Sequence, residues 1–401
     1  MVHQKSIYAV VLSLVIFCAH AIESHTYNPP LVVVLMVKNE ESVIISTIEP
    51  FYNAGIKWFE VVDTGSEDKT IEVTQNFFKS HPDCIGYVDQ DQFVDFEFSR
   101  NKTMEFARQR FSDAGFFLII DAEYQGHNLE QLLPFCQREL EKAASDAPTS
   151  YYVKLHAHDL VLDQIRLVRN ESKDVWTGKV HEAIAAERAG FVPDVFFSFL
   201  PSQKGRQKSV ARWQWDKAIL LAEHKKNPQD SRTLFYLAQT YECLGDTANA
   251  IRYYLLRSQM NTKTEEDAVC FYRLGILYGE LNCWHESVDY FLKSFSARPT
   301  RAEALVRLAQ HYWKQKDYAL CYLYALHATM IPYPEHDILF IEKELYDWVC
   351  YDLLSCSAFY VGQFEKGYKA ALIAKQNGPH NATSLENNVI FYQNLLSKTV
   401  A

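Results

Sequence analysis

A chain of 401 residues exceeds what one ordinary core supports, so two or three domains are expected. With 48% hydrophobic and 14% aromatic residues and no low-complexity tract, it is globular rather than disordered. A formal charge of −10, from 40 basic and 50 acidic side chains, argues against nucleic acid or an anionic membrane surface as the main partner.

The N-terminus has the shape of an export signal. Lys5 precedes a mainly apolar run over residues 7–17, and Ala19-His20-Ala21 sets small residues around a cleavage site after Ala21. The run is short for a spanning helix and is interrupted by Ser13 and His20. A signal peptide over residues 1–21, and hence export or the secretory pathway, is the expectation. An uncleaved signal-anchor is the alternative. Of nine cysteines, Cys18 falls inside this segment. The other eight show no disulfide framework in their spacing and read as buried thiols.

Strand and helix patterns then alternate. Residues 31–37 form an apolar run, the first expected strand, and Lys38-Asn39-Glu40-Glu41-Ser42 opens a helix that Asn53-Ala54-Gly55 stops. A second strand over 58–62 runs into Asp63-Thr64-Gly65-Ser66-Glu67-Asp68, a turn that can cap a helix over 69–80. A short strand is expected over 85–88 and a helix over 99–111, with Met104, Ala107 and Phe111 on one face. The fourth strand, 115–120, is an unbroken apolar run that enters Asp121-Ala122-Glu123. A helix over 129–144 follows, then a strand pair over 151–155 and 164–168, and a loop from Trp176 to Glu182.

Strands spaced by helices in this order imply right-handed crossovers and a parallel sheet covered on both faces. The carboxyl ends of its strands share one edge, where open α/β sheets bind ligands. Lys38-Asn39-Glu40, Asp63 and Asp121-Ala122-Glu123 all fall on that edge. Two carboxylates one residue apart can hold Mg²⁺ or Mn²⁺ beside a substrate phosphate. The Gly-x-Gly-x-x-Gly fingerprint is absent, which disfavours a dinucleotide fold. His156-Ala157-His158-Asp159 mimics a metal pair but lacks a further ligand run.

These residues resemble family 2 glycosyltransferases with a GT-A fold. Val34-Leu35-Met36-Val37-Lys38-Asn39-Glu40-Glu41 is similar to that family's first nucleotide-binding strand and loop. Asp63-Thr64-Gly65-Ser66-Glu67-Asp68-Lys69-Thr70 resembles its Asp-x-Gly-Ser-x-Asp-x-Thr segment, the most specific part of the likeness. Ser99-Arg100-Asn101 resembles its Arg-Asn helix start, and Asp121-Ala122-Glu123 stands where the family has its metal motif. Arg166-Leu167-Val168-Arg169-Asn170 and Val180-His181-Glu182 resemble later segments of a subgroup with a helical-repeat tail. The resemblance covers about residues 31–200. It implies that Asn39, Glu40, Asp63 and Asp68 belong to the nucleotide-sugar site. It implies that Arg100 neutralises phosphate, that Asp121 contacts metal or diphosphate, and that Glu123 and His181 complete a Mg²⁺ or Mn²⁺ shell. Glu182 is the candidate general base, with Asp159 the alternative. The family shows a second Asp where this chain has Glu123, a departure that leaves room for a degenerate site.

From about Ser209 the pattern turns helical. Leu237-Ala238-x-x-Tyr241, Leu274-Gly275-x-x-Tyr278 and Leu308-Ala309-x-x-Tyr312 recur at intervals of 37 and 34 residues. The shorter interval is the tetratricopeptide period. A lone helix over 210–226 precedes the repeats, and a degenerate fourth unit runs through Leu354, Ala358, Phe364 and Ala371. Such arrays bind peptides or mediate assembly, so a protein partner or self-association is expected.

The expected architecture is an α/β GT-A domain over 22–205 and a tetratricopeptide-like solenoid over 206–401. The expected activity is metal-assisted transfer of a sugar, with inversion, from a nucleotide-linked donor, UDP-linked by the resemblance, to an unknown acceptor, polypeptide and glycan being the candidates. The rival reading is a repeat scaffold with a decayed catalytic domain. A nucleotidylyltransferase is disfavoured, since no Gly-rich basic loop follows the first strand.

Overall fold

The structure is a computed structural model and describes residues 28–143, 147–157, 160–199, 203–260 and 262–399. The expected signal peptide, Cys18, His158 and Asp159 lie outside the described residues. A mixed α/β half is followed by a helical half.

The α/β half begins with β1 (Leu31–Val37), α1 (Ile44–Asn53), β2 (Trp58–Asp63), α2 (Thr70–Ser80), β3 (Ile85–Gln90), α3 (Phe96–Arg110) and β4 (Phe116–Ile120). These four strands pair in parallel in the order β3-β2-β1-β4. Short β5 (Tyr124–His127), α4 (Leu132–Leu140), β6 (Ser150–Ala157), β7 (Leu160–Arg169), the two-residue strands β8 (Trp176–Thr177) and β9 (Ala183–Ile184), and β10 (Ala189–Phe199) complete it. β7 pairs antiparallel with β4 and with β6, so the sheet turns mixed at β7. β10 runs parallel to β6, with β5 antiparallel on its outer side.

Period-two alternation explains why both faces of the central strands are covered. On one face Leu31, Val33 and Leu35 pack with Ile48 and Phe51 of α1, Phe77 of α2 and Phe135 of α4. On the other, Val32 and Val34 pack with Met104 and Ala107 of α3 and with Trp176 and Ile184. The helix expected over 129–144 is shorter, a single tight turn at Leu129–Gln131 before α4. Asp95 extends the start of α3 by three residues, because its carboxylate accepts the Phe98 N–H at 2.8 Å and caps the helix.

The helical half starts with α5 (Gln203–Lys226) and continues as hairpins: α6 (Ser231–Cys243) with α7 (Thr247–Ser258), and α8 (Glu265–Glu280) with α9 (Trp284–Ala297). α10 (Glu303–Lys314) with α11 (Tyr318–Ala328), and α12 (Cys350–Tyr360) with α13 (Phe364–Asn377), follow, and α14 (Thr383–Thr399) closes the array. The repeated tyrosine has a physical partner. Tyr241, Tyr278 and Tyr312 stack on Tyr253, Tyr290 and Tyr324, each pair within 7° of coplanar and 5.4–5.6 Å apart. A small residue lets each hairpin close: a Cβ on Gly275 would meet Phe291 Cδ1 at 2.6 Å. Each hairpin turns through one left-handed residue, Gly245, Asn282, Lys316 or Gly362.

Between α11 and α12 the chain returns to the sheet. β11 (Ile341–Glu342) pairs antiparallel with the start of β7, Ile341 opposite Val161. The approach is held by Arg298, paired with Asp337, and by Arg301, which donates to the Leu339 carbonyl at 2.8 Å. No sequence pattern announced this strand, because two residues carry no periodicity. Among the described residues the eight cysteines are free, five of them buried: Cys84, Cys136, Cys270, Cys321 and Cys350. Among the same residues no helix is long and apolar enough to cross a membrane.

Candidate functional site

The site is assembled on the carboxyl edge of β1, β2, β3 and β4. Register fixes the alignment, with Val37 opposite Asp63, Asp63 opposite Gln90, and Leu35 opposite Ile120. The residues that leave these strands therefore meet. A cavity of about 680 Å³ lies there, lined by Lys38, Asp63, Thr64, Gly65, Gln90, Asp91, Gln92 and Phe93.

The two loops above β1 and β2 are laced together by their polar side chains. Asp63 is 1% exposed. One of its oxygens accepts the Gly65 and Ser66 N–H groups at 3.0 and 2.8 Å, and the other accepts the Ser66 hydroxyl. Ser66 Oγ in turn accepts the Asn39 N–H at 2.8 Å, and Asn39 Oδ1 accepts the Glu67 N–H at 2.7 Å. The Glu40 N–H donates to Thr70 Oγ1 at 2.7 Å, and Asp68 accepts the Thr70 N–H at 3.0 Å and the Glu41 N–H at 3.2 Å. Asn39 takes a left-handed φ of 58°, a conformation Asn tolerates better than most residues. Asn39, Glu40, Asp63 and Asp68 are thus brought together, and their hydrogen bonds shape the loops that wall the cavity.

A second cluster centres on Arg100 of α3. Its Nε donates to Glu182 Oε1 at 2.6 Å and its Nη2 to Asp121 Oδ1 at 2.9 Å. Arg166 of β7 reaches the other Asp121 oxygen at 3.1 Å and donates to the Tyr124 hydroxyl at 2.6 Å. Both guanidiniums lie by the Trp176 ring, at 4.9 and 5.8 Å from its centre. Their side chains are 7% and 6% exposed, Glu182 is 13% exposed, and Asp121 is 30% exposed. Two cations and two anions balance. Burial works to raise the Asp121 carboxyl, but Arg100 and Arg166 outweigh it and hold that carboxyl well below the usual range. Burial likewise works against the Arg100 charge, and Asp121 and Glu182 overcome it.

His181 sits apart from this cluster. Its ring stacks on Tyr236 of α6, with centroids 4.3 Å apart, and its Nε2 is 3.5 Å from Thr240 Oγ1. Burial, with Arg212 and Arg232 nearby, pushes its imidazole down to about 4, so it is neutral at physiological pH. It faces the helical half and not the edge where Asp121 and Glu123 stand. Among the described residues no three His, Cys, Asp or Glu side chains come together as a metal-holding group. The three-ligand set Asp121, Glu123 and His181 therefore does not fit a divalent cation in this arrangement, since the histidine points elsewhere and both Asp121 oxygens are paired with arginines.

Two participants carried no role at the sequence level. Arg166 is the second guanidinium on Asp121; its place in an Arg-x-x-Arg strand was visible, but not its target. Asp216 on α5 is 4% exposed, its Oδ1 has no hydrogen-bond partner, and burial pushes its carboxyl up to about 6, with Arg212 opposing and Glu182 adding to the rise. Nothing in a helical pattern signals that a residue lies beside a loop some thirty positions earlier.

No protein-family model and no curated protein matches the chain. Among solved structures it is similar to the crystal structure of MamA, with 14% identity over 45% of this chain and 96% of that one and a TM-score of 0.35. It is also similar to YrrB, described as a TPR protein with an unusual peptide-binding site, with 13% identity over 44% of this chain and 84% of that one and a TM-score of 0.36. The first TPR of Spaghetti (RPAP3) bound to an HSP90 peptide is similar over 33% of this chain and 98% of that one, at 16% identity and a TM-score of 0.27.

Proposed function

We propose that the α/β half binds a nucleotide-linked sugar on its carboxyl edge and that the chain is a glycosyltransferase. The observation that carries this reading is that one parallel sheet edge bears both the 38–42 and 63–70 loops, which wall a cavity, and Asp121, which the Arg100–Arg166 pair holds. The cavity wall of Lys38, Asp63, Gln90 and Phe93 offers hydrogen-bonding groups and an aromatic face to a nucleobase. A leaving diphosphate would take the place of the carboxylates that now neutralise Arg100 and Arg166. In the transfer, an acceptor O–H forms a bond to the anomeric carbon and gives its proton to a carboxylate. The bond from that carbon to the phosphate oxygen breaks, and the nucleoside diphosphate leaves with the electron pair. Glu182 is the described carboxylate for that proton, once parted from Arg100. No step is assigned to Mg²⁺ or Mn²⁺.

A second reading, a binding scaffold whose α/β half no longer catalyses, is favoured by one observation. Asp63, Asp121 and Glu182 are all engaged in internal bonds, whereas the helical array keeps an open groove of about 990 Å³ between α6, α8 and α10. Titration calorimetry of the full chain with UDP, with and without Mn²⁺, separates the two. Binding that Asp63→Ala weakens supports the enzyme, to be followed by nucleotide-sugar hydrolysis assays. No nucleotide binding in either metal condition sinks the enzyme in favour of the scaffold.

A further inference from the structure

The loop that carries His181 and Glu182 belongs to the α/β half in sequence but is held by the helical half. Val180, 6% exposed, is buried in the same apolar cluster as Leu220 of α5 and Leu234 and Phe235 of α6. His181 takes a left-handed φ of 50°, a conformation uncommon for a residue with a Cβ. Three residues of α6 surround it. Arg232 Nη2 donates to the His181 carbonyl at 2.9 Å, the Tyr236 ring stacks on the imidazole with an interplanar angle of 14°, and Thr240 Oγ1 meets Nε2. Spaced by four, these residues form one stripe along the helix. The next residue, Glu182, is the one that Arg100 binds, and Arg100 in turn binds Asp121. A second contact reaches the cavity itself: Phe93, which lines it, packs 5.9 Å from Trp215 of α5.

We infer that the helical half completes the crevice of the α/β half, with the α6 stripe Arg232–Tyr236–Thr240 as its positioning element. The stripe imposes the backbone of residues 180–182 and so sets Glu182 against Arg100. Without it the left-handed His181 relaxes and the Arg100–Asp121 geometry loosens. The nucleotide reading bears only on the consequence for ligand affinity; the positioning itself does not depend on it.

Hydrogen exchange of the full chain without ligand tests the positioning. Tyr236→Ala is expected to speed exchange across residues 178–184 by about tenfold or more, since local opening governs such rates. Tyr236→Phe, which keeps the ring, is expected to restore protection. Phe291→Ala, a cavity elsewhere in the array, is expected to leave this segment unchanged. Arg232→Ala removes the bond to the His181 carbonyl, the cation beside Tyr236 and a 3.4 Å pair with Glu266 while leaving the apolar packing in place, so it gives the same reading should Tyr236→Ala fail to fold. Unchanged protection of 178–184 in the folded variant overturns the inference, and so does equal loss in Phe291→Ala. UDP affinity, read alongside, is expected to fall about tenfold in Arg232→Ala. If the unaltered chain binds no UDP, the nucleotide reading fails while exchange still decides the positioning; if affinity holds although 178–184 opens, the stripe does not position the crevice.

Discussion

Two loops serve the candidate site, one at the cavity and one at the Arg100 cluster, and they are held in opposite ways. The 63–70 loop is braced from within its own half: Asp63 accepts three hydrogen bonds from the two residues Gly65 and Ser66, and Ser66 and Asp68 reach across to residues 39–41. The 176–184 loop has little of its own. β8 and β9 give it two residue pairs, Trp176 and Ile184 pack on the sheet, and further support comes from α3 on one side and α5 and α6 on the other. A motif that satisfies its own polar groups can be read from spacing alone. A loop whose conformation is imposed by distant helices shows no comparable signature.

The second loop meets the sheet at Arg100, where the largest effect is expected. Arg100→Ala leaves Glu182 and Asp121 without that cation and is expected to cost about 3–5 kcal/mol in urea unfolding. A loss below 1 kcal/mol would mean that the loop is not held there. Within the sheet that carries the first loop, Glu60 of β2 lies fully buried, with neither carboxylate oxygen hydrogen-bonded. Burial, with Asp89 beside it, raises its carboxyl from the ordinary 4.5 to about 8. A raised carboxyl keeps its proton in the folded chain while the unfolded chain has lost it. Its contribution is therefore fully present below pH 4.5, falls by about 1.4 kcal/mol per pH unit as pH rises toward 8, and is lost above that. Unfolding of Glu60→Gln between pH 5 and pH 8 is expected to lack this slope.

Smaller effects sharpen the same contrast. Asp63→Ala removes the acceptor at the centre of the first loop and is expected to cost about 2 kcal/mol, with faster exchange confined to residues 38–42 and 63–70. Spread of that loosening into 176–184 would show that the two loops are not independently held. Asp230 caps α6 by accepting the Thr233 N–H at 3.0 Å. Asp230→Ala is expected to cost about 1 kcal/mol in thermal or urea unfolding, and to loosen 178–184 while leaving 63–70 unchanged.

Much of the fold was legible because it rests on local periodicity. The runs at 31–37, 58–62 and 115–120 became buried central strands, and the Leu-Ala-x-x-Tyr repeat became paired helices joined by stacked tyrosines. Of the site, the cluster Asn39, Glu40, Asp63 and Asp68 was legible as a group, since its members lie in two short segments joined by neighbouring strands. His181 was not. Its type and its neighbour Glu182 suggested a ligand, yet its ring is drawn onto Tyr236, fifty-five positions later, by stacking and apolar burial that no local spacing encodes. Arg166 and Asp216 were missed for the same reason, as each acts on a partner from another element.

Local sequence set the four parallel strands and most of the helices, the change from α/β to helical repeat, and the polar loops at the carboxyl edge, because propensity, periodicity and short-range hydrogen bonding act over a few residues; β5, β8, β9, β10 and β11 were not among the expected strands. The tertiary structure alone decided that Asp121 lies between two arginines, that His181 faces α6, and that β11 returns from the helical array to join the sheet. Those arrangements depend on which elements pack together, and burial and charge pairing between distant segments are set only once they do.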